Sequence, residues 1–198
     1  MARSTMKCQA RCFAMKYFFL VVGQILASLC LLMCGSKEDA SLNTAASPPA
    51  LFINEIVADN ETGIKDPDCG KFSDWFEIYN GGPVEVDMSG MYLTDDLEEP
   101  LKWQFPDGAA IAVGGFLLIW CDNPTFEDCP DLTVFHANFK LRKGGEVIAL
   151  FDTDENGNRE IDSIRFGRQE RDRSWARKPD GSENWQKMSI PTPGKSNN

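Results

Sequence analysis

The histidine content of the chain limits the chemistry that it can perform. His136 is the only histidine in 198 residues, so a histidine general base has one position available. It stands in the segment FHANFKL, which is typical of a strand or its lead-in, and a single histidine there is expected to be structural. Zinc sites with several histidines are excluded, and the cysteines lack C-x-x-C spacing. No G-x-S-x-G, P-loop or G-x-G-x-x-G motif occurs, so we expect a protein that is not an enzyme.

One acidic turn has the residue types of a calcium site. Residues 152–162 read DTDENGNREID, with oxygen ligands at alternate positions and Gly157 at a sharp turn, as in the first half of an EF-hand loop. The twelfth position is Ser163 instead of a bidentate glutamate, so any calcium affinity would be weak. The candidate ligands are Asp152, Asp154, Asn156 and Asp162. The acid-rich loop 59–74 is a second candidate. Asn-Gly is also a hairpin signal by itself, so an acidic turn without an ion is the alternative.

The cysteines of the domain provide one candidate disulfide. Cys69, Cys121 and Cys129 are the three that lie beyond the N-terminal region, and an oxidising compartment would permit one bridge among them. Cys121 and Cys129 bracket a short loop that Pro124 and Pro130 stiffen, so we expect these two to pair. The alternative is that Cys121 is buried as a small hydrophobe at a strand end. Cys69 would then be the next partner to consider.

Short strand-like segments separated by turns must position these residues. Their β-branched and aromatic composition predicts strands at Leu51–Val57, Trp75–Tyr79, Met91–Thr94, Phe116–Cys121, Val147–Phe151 and Ile161–Phe166. Trp175 and Trp185 fall in two short final strands. Phe116–Cys121 is the most apolar and is predicted to be a central strand buried on both faces. Runs at this spacing, without an amphipathic helix, predict an all-β two-sheet sandwich.

The order of several short motifs resembles that of a known family. The motifs are INEI (53–56), DWFEIYNGGPVEVDMSGMYLTDD (74–96), KWQFPDG (102–108), NFKL (138–141) and TPGKSN (192–197). In this order they resemble the lamin tail domain, an immunoglobulin-like module named from nuclear lamins, whose bacterial versions are attached to many secreted and surface proteins. The resemblance implies an immunoglobulin-like domain over residues 51–198 that binds or tethers a surface protein or glycan. The family's domain partners suggest an alternative, a carbohydrate-binding or adhesion accessory of a secreted hydrolase system.

The N-terminal region has the layout of a targeting signal. Residues 1–34 carry a basic segment without acids and then most of a 19-residue apolar run. The sequence LLMCGS resembles a bacterial lipobox, which implies lipidation of Cys34. Cleaved secretion and an uncleaved membrane anchor remain alternatives, and Met1 or Met15 could be the start. Residues 35–50 are small and polar and predict a flexible linker. We therefore expect the domain to lie outside the cytoplasm, at the cell envelope or secreted.

The charge distribution argues against nucleic acid as a partner. The net charge is −10, and residues 51–131 carry 18 acidic side chains against three lysines. Such an acidic half repels phosphate backbones. The segment Arg165–Lys178 has six basic residues, but Glu170 and Asp172 interleave with them and favour local ion pairs. A nucleic-acid-associated role, as for nuclear lamin tails, is the less favoured alternative.

Overall fold

The computed structural model describes residues 48–198, apart from Phe126 and Asp128. The predicted signal at residues 1–34, the lipidation site Cys34 and most of the linker at 35–50 lie outside the described residues. Among those described, no helix is long and apolar enough to cross a membrane. The strands are, in chain order, β1 Leu51–Val57, β2 Asp74–Asn80, β3 Val86–Asp87, β4 Tyr92–Thr94, β5 Trp103–Gln104, β6 Ala110–Ile111, β7 Phe116–Cys121, β8 Phe135–Ala137, β9 Glu146–Phe151, β10 Glu160–Phe166, β11 Ser174–Arg177 and β12 Trp185–Met188.

Two main sheets pack around one apolar core, which confirms the predicted all-β sandwich. The larger sheet has the order β12-β11-β1-β2-β7-β8, and the smaller has the order β10-β9-β4-β5. The pairs in both sheets are antiparallel, except that β7 and β8 run parallel. A short β3–β6 ribbon stands apart from both sheets. The core takes side chains from both sheets, for example Phe76 and Ile78 of β2 and Leu93 of β4.

The predicted strands are present, and the structure adds how they pair and how far each is buried. The β9–β10 hairpin forms across its acidic turn as expected. In contrast, β2 and β4 belong to different sheets, so the turns between them carry the chain across the sandwich. The strand β7 lies between β2 and β8 but is only half covered, since Phe116–Leu118 are partly exposed and Ile119–Cys121 are buried. Full burial of this strand was therefore wrong for its first half, which the short β8 does not flank.

A bulge in β1 decides which of its side chains enter the core. The register of β1 against β2 shifts between Ile53 and Glu55, so one extra residue, Asn54, interrupts the strand alternation. Before the bulge Leu51 and Ile53 face the core, and after it Ile56 does. Glu55 consequently lies on the outer face, paired with β2.

The polar backbone groups at the bulge are bonded by buried side chains from distant segments. Arg177 of β11, 2% exposed, donates from Nε to the Ile53 carbonyl at 2.9 Å. Its Nη2 donates to both carboxylate oxygens of Asp162 at 3.0 and 3.1 Å. Asp162 Oδ2 accepts the Ile53 amide at 2.7 Å, and Asn197 donates to the Asn54 carbonyl. The Arg177–Asp162 pair thus joins the larger sheet to β10 of the smaller one.

Two glutamates lie buried side by side on the outer face of the larger sheet. Glu55 of β1 is in register with Glu77 of β2, and neither side chain is exposed. The C-terminal segment covers them. Thr192 donates its amide and hydroxyl to the Glu55 carboxylate, and the Gly194 amide donates to Glu77 Oε2 at 2.8 Å. The TPGKSN motif is therefore a clamp over two carboxylates.

Burial makes ionisation of this pair unfavourable. It raises the pKa of Glu77 to about 8, and the neighbouring Glu55 adds to the increase against the Gly194 hydrogen bond. Burial likewise raises the pKa of Glu55. Because the folded pKa of Glu77 lies above the ordinary value of 4.5, its contribution to stability is fully present below pH 4.5. That contribution is lost as the pH rises toward about 8.

We expect Glu77→Gln to flatten the pH dependence of stability. In the wild type the free energy of unfolding should fall between pH 5 and 8, with a slope for this one proton of at most about 1.4 kcal/mol per pH unit. Glutamine keeps the acceptor for Gly194 and cannot ionise, so the variant should be the more stable protein at pH 8. Urea denaturation across this pH range measures the effect. The exposed Glu85→Gln serves as the control, and an unchanged slope in Glu77→Gln would contradict the assignment.

Candidate functional site: a buried histidine among aspartates

The predicted disulfide is formed by a different pair of cysteines. Cys129 is bonded to Cys69, with Cα atoms 5.2 Å apart, so the expected Cys121–Cys129 pairing was wrong. Cys121 is a free and buried thiol at the end of β7, and burial raises its pKa well above the ordinary range. Cys121 is packed in the core as a small hydrophobe, as the alternative interpretation predicted. The reason is strand alternation, which directs Cys121 into the core beside Ile119.

The disulfide fastens the long loop between β1 and β2 against the segment that follows β7. The bridge closes 60 residues of sequence, and such a crosslink contributes about 4 kcal/mol in the chain-entropy account. Asp66, in the same loop, is fully buried. Its backbone amide donates to the Lys71 carbonyl, and its own carbonyl accepts the Gly70 amide. The acid-rich loop is thereby folded down over the edge strand β8.

His136 of β8 lies beneath this loop and faces three carboxylates. Its Nδ1 is 3.0 Å from Asp122 Oδ1. Its Nε2 is 3.2 Å from Asp68 Oδ2 and 3.6 Å from Asp66 Oδ1. The imidazole and the Asp66 side chain are 0% exposed, and Asp68 and Asp122 are 5% and 13% exposed. We call these four residues the His136 cluster.

The three carboxylates of the His136 cluster differ in the hydrogen bonds that they accept. Asp68 accepts the Thr133 hydroxyl and the amides of Thr133 and Val134. Burial raises the pKa of Asp68, but these hydrogen bonds outweigh it and lower the pKa to about 2. Asp122 Oδ2 accepts the Ser73 hydroxyl at 3.0 Å. Asp66 Oδ1 accepts the Asp68 amide, whereas its buried Oδ2 has no hydrogen-bond partner among the described residues.

The geometry is unlike that of a nucleophilic site and like that of a site for a cation. Ser73 bonds to Asp122 and not to the imidazole, so the order of groups is not that of a serine triad. In the described part of the chain, one group of ligand-type atoms lies within 4.8 Å of one another, and it comprises Asp66, Cys69, Asp122 and His136. The Cys69 sulfur is engaged in the disulfide, which leaves the Asp66 and Asp122 carboxylates and the His136 imidazole as donors. Asp68 is not in this group, but its Oδ2 lies 3.2 Å from His136 Nε2.

The structure does not gather the four predicted calcium ligands. Asp152 Oδ1 accepts the Thr153 amide and the Asn156 side-chain amide, and its Oδ2 lies 3.5 Å from Arg159. Asp162 is occupied by Arg177 and the Ile53 amide, away from the turn. Asp154 accepts the hydroxyl of Tyr92. The turn is a short 3₁₀ helix closed by Gly157 in a left-handed conformation, so the acidic turn closes through its own bonds. Weak calcium binding there stays a prediction.

The basic segment Arg165–Lys178 forms ion pairs within the domain. Arg171 pairs with Glu61 at 2.8 Å and Arg173 with Glu170 at 3.2 Å. Lys187 also binds Glu170, and Arg177 is the buried residue at the bulge. This agrees with the expected local ion pairing. Several of these cations thus already have carboxylate partners.

The fold is an immunoglobulin-like β-sandwich, and comparison with protein families identifies which family of such domains it belongs to. The sequence model of the lamin tail domain matches residues 44–168, more than half of the chain, and the protein belongs to that family. Domains of this family are immunoglobulin-like binding or structural modules. Among solved structures, a DUF4876 family protein from Bacteroides thetaiotaomicron is similar, with 15% identity and a TM-score of 0.34. The match covers 62% of this chain and about half, 52%, of that one. No curated protein sequence matches the chain.

Sequence reasoning identified the members of the His136 cluster only separately. The acid-rich loop was noted for its charge and His136 was expected to be structural, but nothing placed them together. His136 and Asp68 are 68 residues apart. The available signal was the unusual length of an acidic loop inside a compact domain, which points to function more often than to a plain connection.

We expect peptide mapping to distinguish the two disulfide pairings. Trypsin should release residues 66–71, which contain Cys69, and residues 103–140, which contain both Cys121 and Cys129. Without reductant these two peptides should remain linked, in the wild type and equally in Cys121→Ser. Cys129→Ser should free the shorter peptide. A free 66–71 peptide in the unreduced wild type would contradict the Cys69–Cys129 bond.

Proposed function

We propose that this protein is a non-catalytic module that binds or tethers a surface protein or glycan outside the cytoplasm, held to the membrane by a lipid on Cys34. Membership of the lamin tail domain family carries the proposal. A binding role suits this architecture, because the sandwich is a rigid scaffold that presents loops of variable chemistry.

The disulfide supports the proposed location. Disulfides persist in oxidising compartments and are rare in the cytosol, and the Cys69–Cys129 bond closes the acid-rich loop of this domain. The acidic charge of residues 51–131 is also poorly suited to nucleic acid. Both observations favour a protein or glycan partner at the cell surface over the nucleic-acid role of nuclear lamin tails.

The surroundings of the histidine, as far as the described residues show them, support a non-catalytic role. Within the described residues, the side chains bonded to the His136 ring are carboxylates, and the free thiol Cys121 is buried elsewhere with a raised pKa. A nucleophile must lie within hydrogen-bond reach of its base. The histidine is therefore placed to hold a loop or an ion, not to activate a serine or cysteine.

We expect the full-length chain, in detergent, to bind selected members of an array of surface proteins and glycans. The open depression of about 560 Å³ at Glu99–Lys102 and Asn138 is the first surface to test. Leu101, 44% exposed, lies in it, and Val113, 57% exposed, lies on another turn. Leu101→Asp should weaken binding, and the matched Val113→Asp should not. If no protein or glycan on the array bound, the binding role would be contradicted. If both variants lost binding equally, the ligand would not bind in this depression.

We expect Cys34→Ser to change the membrane association of the protein. Without the thiol no lipid can be attached, so the protein should leave the membrane fraction or retain its unprocessed mass. Cys30→Ser, within the same apolar run, is the matched control and should behave as the wild type. Unchanged fractionation together with unchanged mature mass in Cys34→Ser would favour an uncleaved membrane anchor.

A further inference from the structure

The two nitrogens of His136 cannot both be satisfied by the carboxylates that face them if the ring is neutral. A carboxylate only accepts hydrogen bonds, and a neutral imidazole donates from one nitrogen only. If Nδ1 donates to Asp122 Oδ1 at 3.0 Å, the lone pair of Nε2 points at the oxygens of Asp66 and Asp68. Three acceptor atoms would then face one another in a buried space, which is unfavourable without a positive charge between them.

The distances from His136 Nε2 to the Asp66 and Asp68 oxygens suit a metal ion bound between them. Zinc binds imidazole nitrogen at about 2.0–2.1 Å and carboxylate oxygen at about 2.0–2.2 Å with tetrahedral angles, so ligand atoms lie roughly 3.3–3.5 Å apart. His136 Nε2 is 3.2 Å from Asp68 Oδ2 and 3.6 Å from Asp66 Oδ1. Asp68 keeps the hydrogen bonds from Thr133 and Val134 that orient it.

The unpartnered oxygen of Asp66 is an independent sign of a missing ligand. The Asp66 side chain is 0% exposed and its Oδ1 lies 3.6 Å from His136 Nε2, while Oδ2 of the same carboxylate has no hydrogen-bond partner among the described residues. A buried carboxylate oxygen without a partner is costly. A cation beside Asp66 would satisfy it and would neutralise the nearby Asp68.

The remaining carboxylate has the arrangement of a residue that orients a metal-bound histidine. Metal-ligating histidines commonly donate their other ring N–H to a carboxylate, which selects the tautomer and directs the ring. Asp122 Oδ1 is placed to accept such a hydrogen bond from Nδ1. Its other oxygen, Oδ2, accepts the Ser73 hydroxyl at 3.0 Å. The chain Ser73–Asp122–His136 thus leads to the Nε2 lone pair.

We propose that Asp66, Asp68 and His136 bind a divalent metal ion of the zinc type, with Asp122 as the positioning residue. Imidazole and carboxylate together favour Zn²⁺ over Ca²⁺, which takes six to eight oxygen ligands. The ion would fasten the loop of Asp66 and Asp68 to β8 beside the Cys69–Cys129 disulfide. Any such ion stabilises the folded state in proportion to the logarithm of its concentration above the dissociation constant.

The chain has a single histidine, so nitrogen NMR detects the imidazole of His136 alone. The sample is the full-length chain with its disulfide intact, treated with EDTA to remove bound metal. On adding Zn²⁺ the Nε2 signal of His136 should move to a metal-bound position while Nδ1 stays protonated, and the melting temperature should rise. Ca²⁺ at the same concentration should do neither. The ring signal is used instead of total zinc because the N-terminal cysteines Cys8, Cys12, Cys30 and Cys34 can also bind zinc.

Three variants separate this site from zinc binding elsewhere. Asp66→Asn and His136→Gln should each abolish the zinc-dependent rise in melting temperature, and Asp122→Asn should weaken zinc binding about 10- to 100-fold. The exposed Asp131→Asn should match the wild type. A rise that persists in Asp66→Asn would overturn the proposal.

The wild type alone decides the matter if these variants do not fold. Two protonated ring nitrogens that do not respond to Zn²⁺ would show that an imidazolium, and no metal, satisfies the carboxylates, and would also overturn the proposal.

Discussion

The bulge at Asn54 is the constraint on which much of this sandwich depends. One extra residue in β1 changes which face Ile56 and Glu55 occupy, and without it the apolar set of the strand would be split between the core and the outer face. The bulge leaves backbone groups of Ile53 and Asn54 that the sheet does not bond. They are bonded instead by Asp162, Arg177 and Asn197.

This arrangement makes the stability of the domain depend on a buried ion pair. Arg177 also lies over the Trp185 ring, with its guanidinium carbon 4.8 Å from the ring centroid. A buried pair is not in itself strongly stabilising, but removing one partner costs about 3–5 kcal/mol because the other charge is left uncompensated. The two sheets are therefore joined by an interaction that tolerates no single substitution well. Arg177 and Asn197 lie beyond residue 168, so the region matched by the family model is completed by segments that follow it.

Acids buried at the larger sheet and acids buried beside it are held differently, as Glu77 and the surroundings of His136 show. Glu55 and Glu77 lie under the C-terminal clamp, where backbone and hydroxyl donors only partly compensate burial and the pKa of Glu77 is raised to about 8. Around His136, strong hydrogen bonds keep the pKa of Asp68 at about 2. The first site favours neutral carboxyls, and the second concentrates negative charge around one imidazole. The metal site proposed above lies at the second place.

The fold class, the family and most of the strands follow from the amino-acid sequence alone. Those features depend on local pattern, such as the aromatic and β-branched run Trp75–Tyr79 and the Asn156-Gly157 turn, and on the order of short motifs along the chain. Strand alternation alone is enough to put Phe76 and Ile78 on the same face of β2. No long-range information was needed for any of these.

Features that depend on residues distant in the chain emerge only when the sheets are packed together. Which cysteine joins Cys129 follows from where the loop of Cys69 folds, 60 residues away. Asp162 belongs to Arg177 and not to its own acidic turn because the bulge in β1 requires an acceptor there. His136 meets Asp66 and Asp68 only because β8 lies beneath that loop. Residue types limit the contacts that a chain can make, but the packing of the two sheets selects among them.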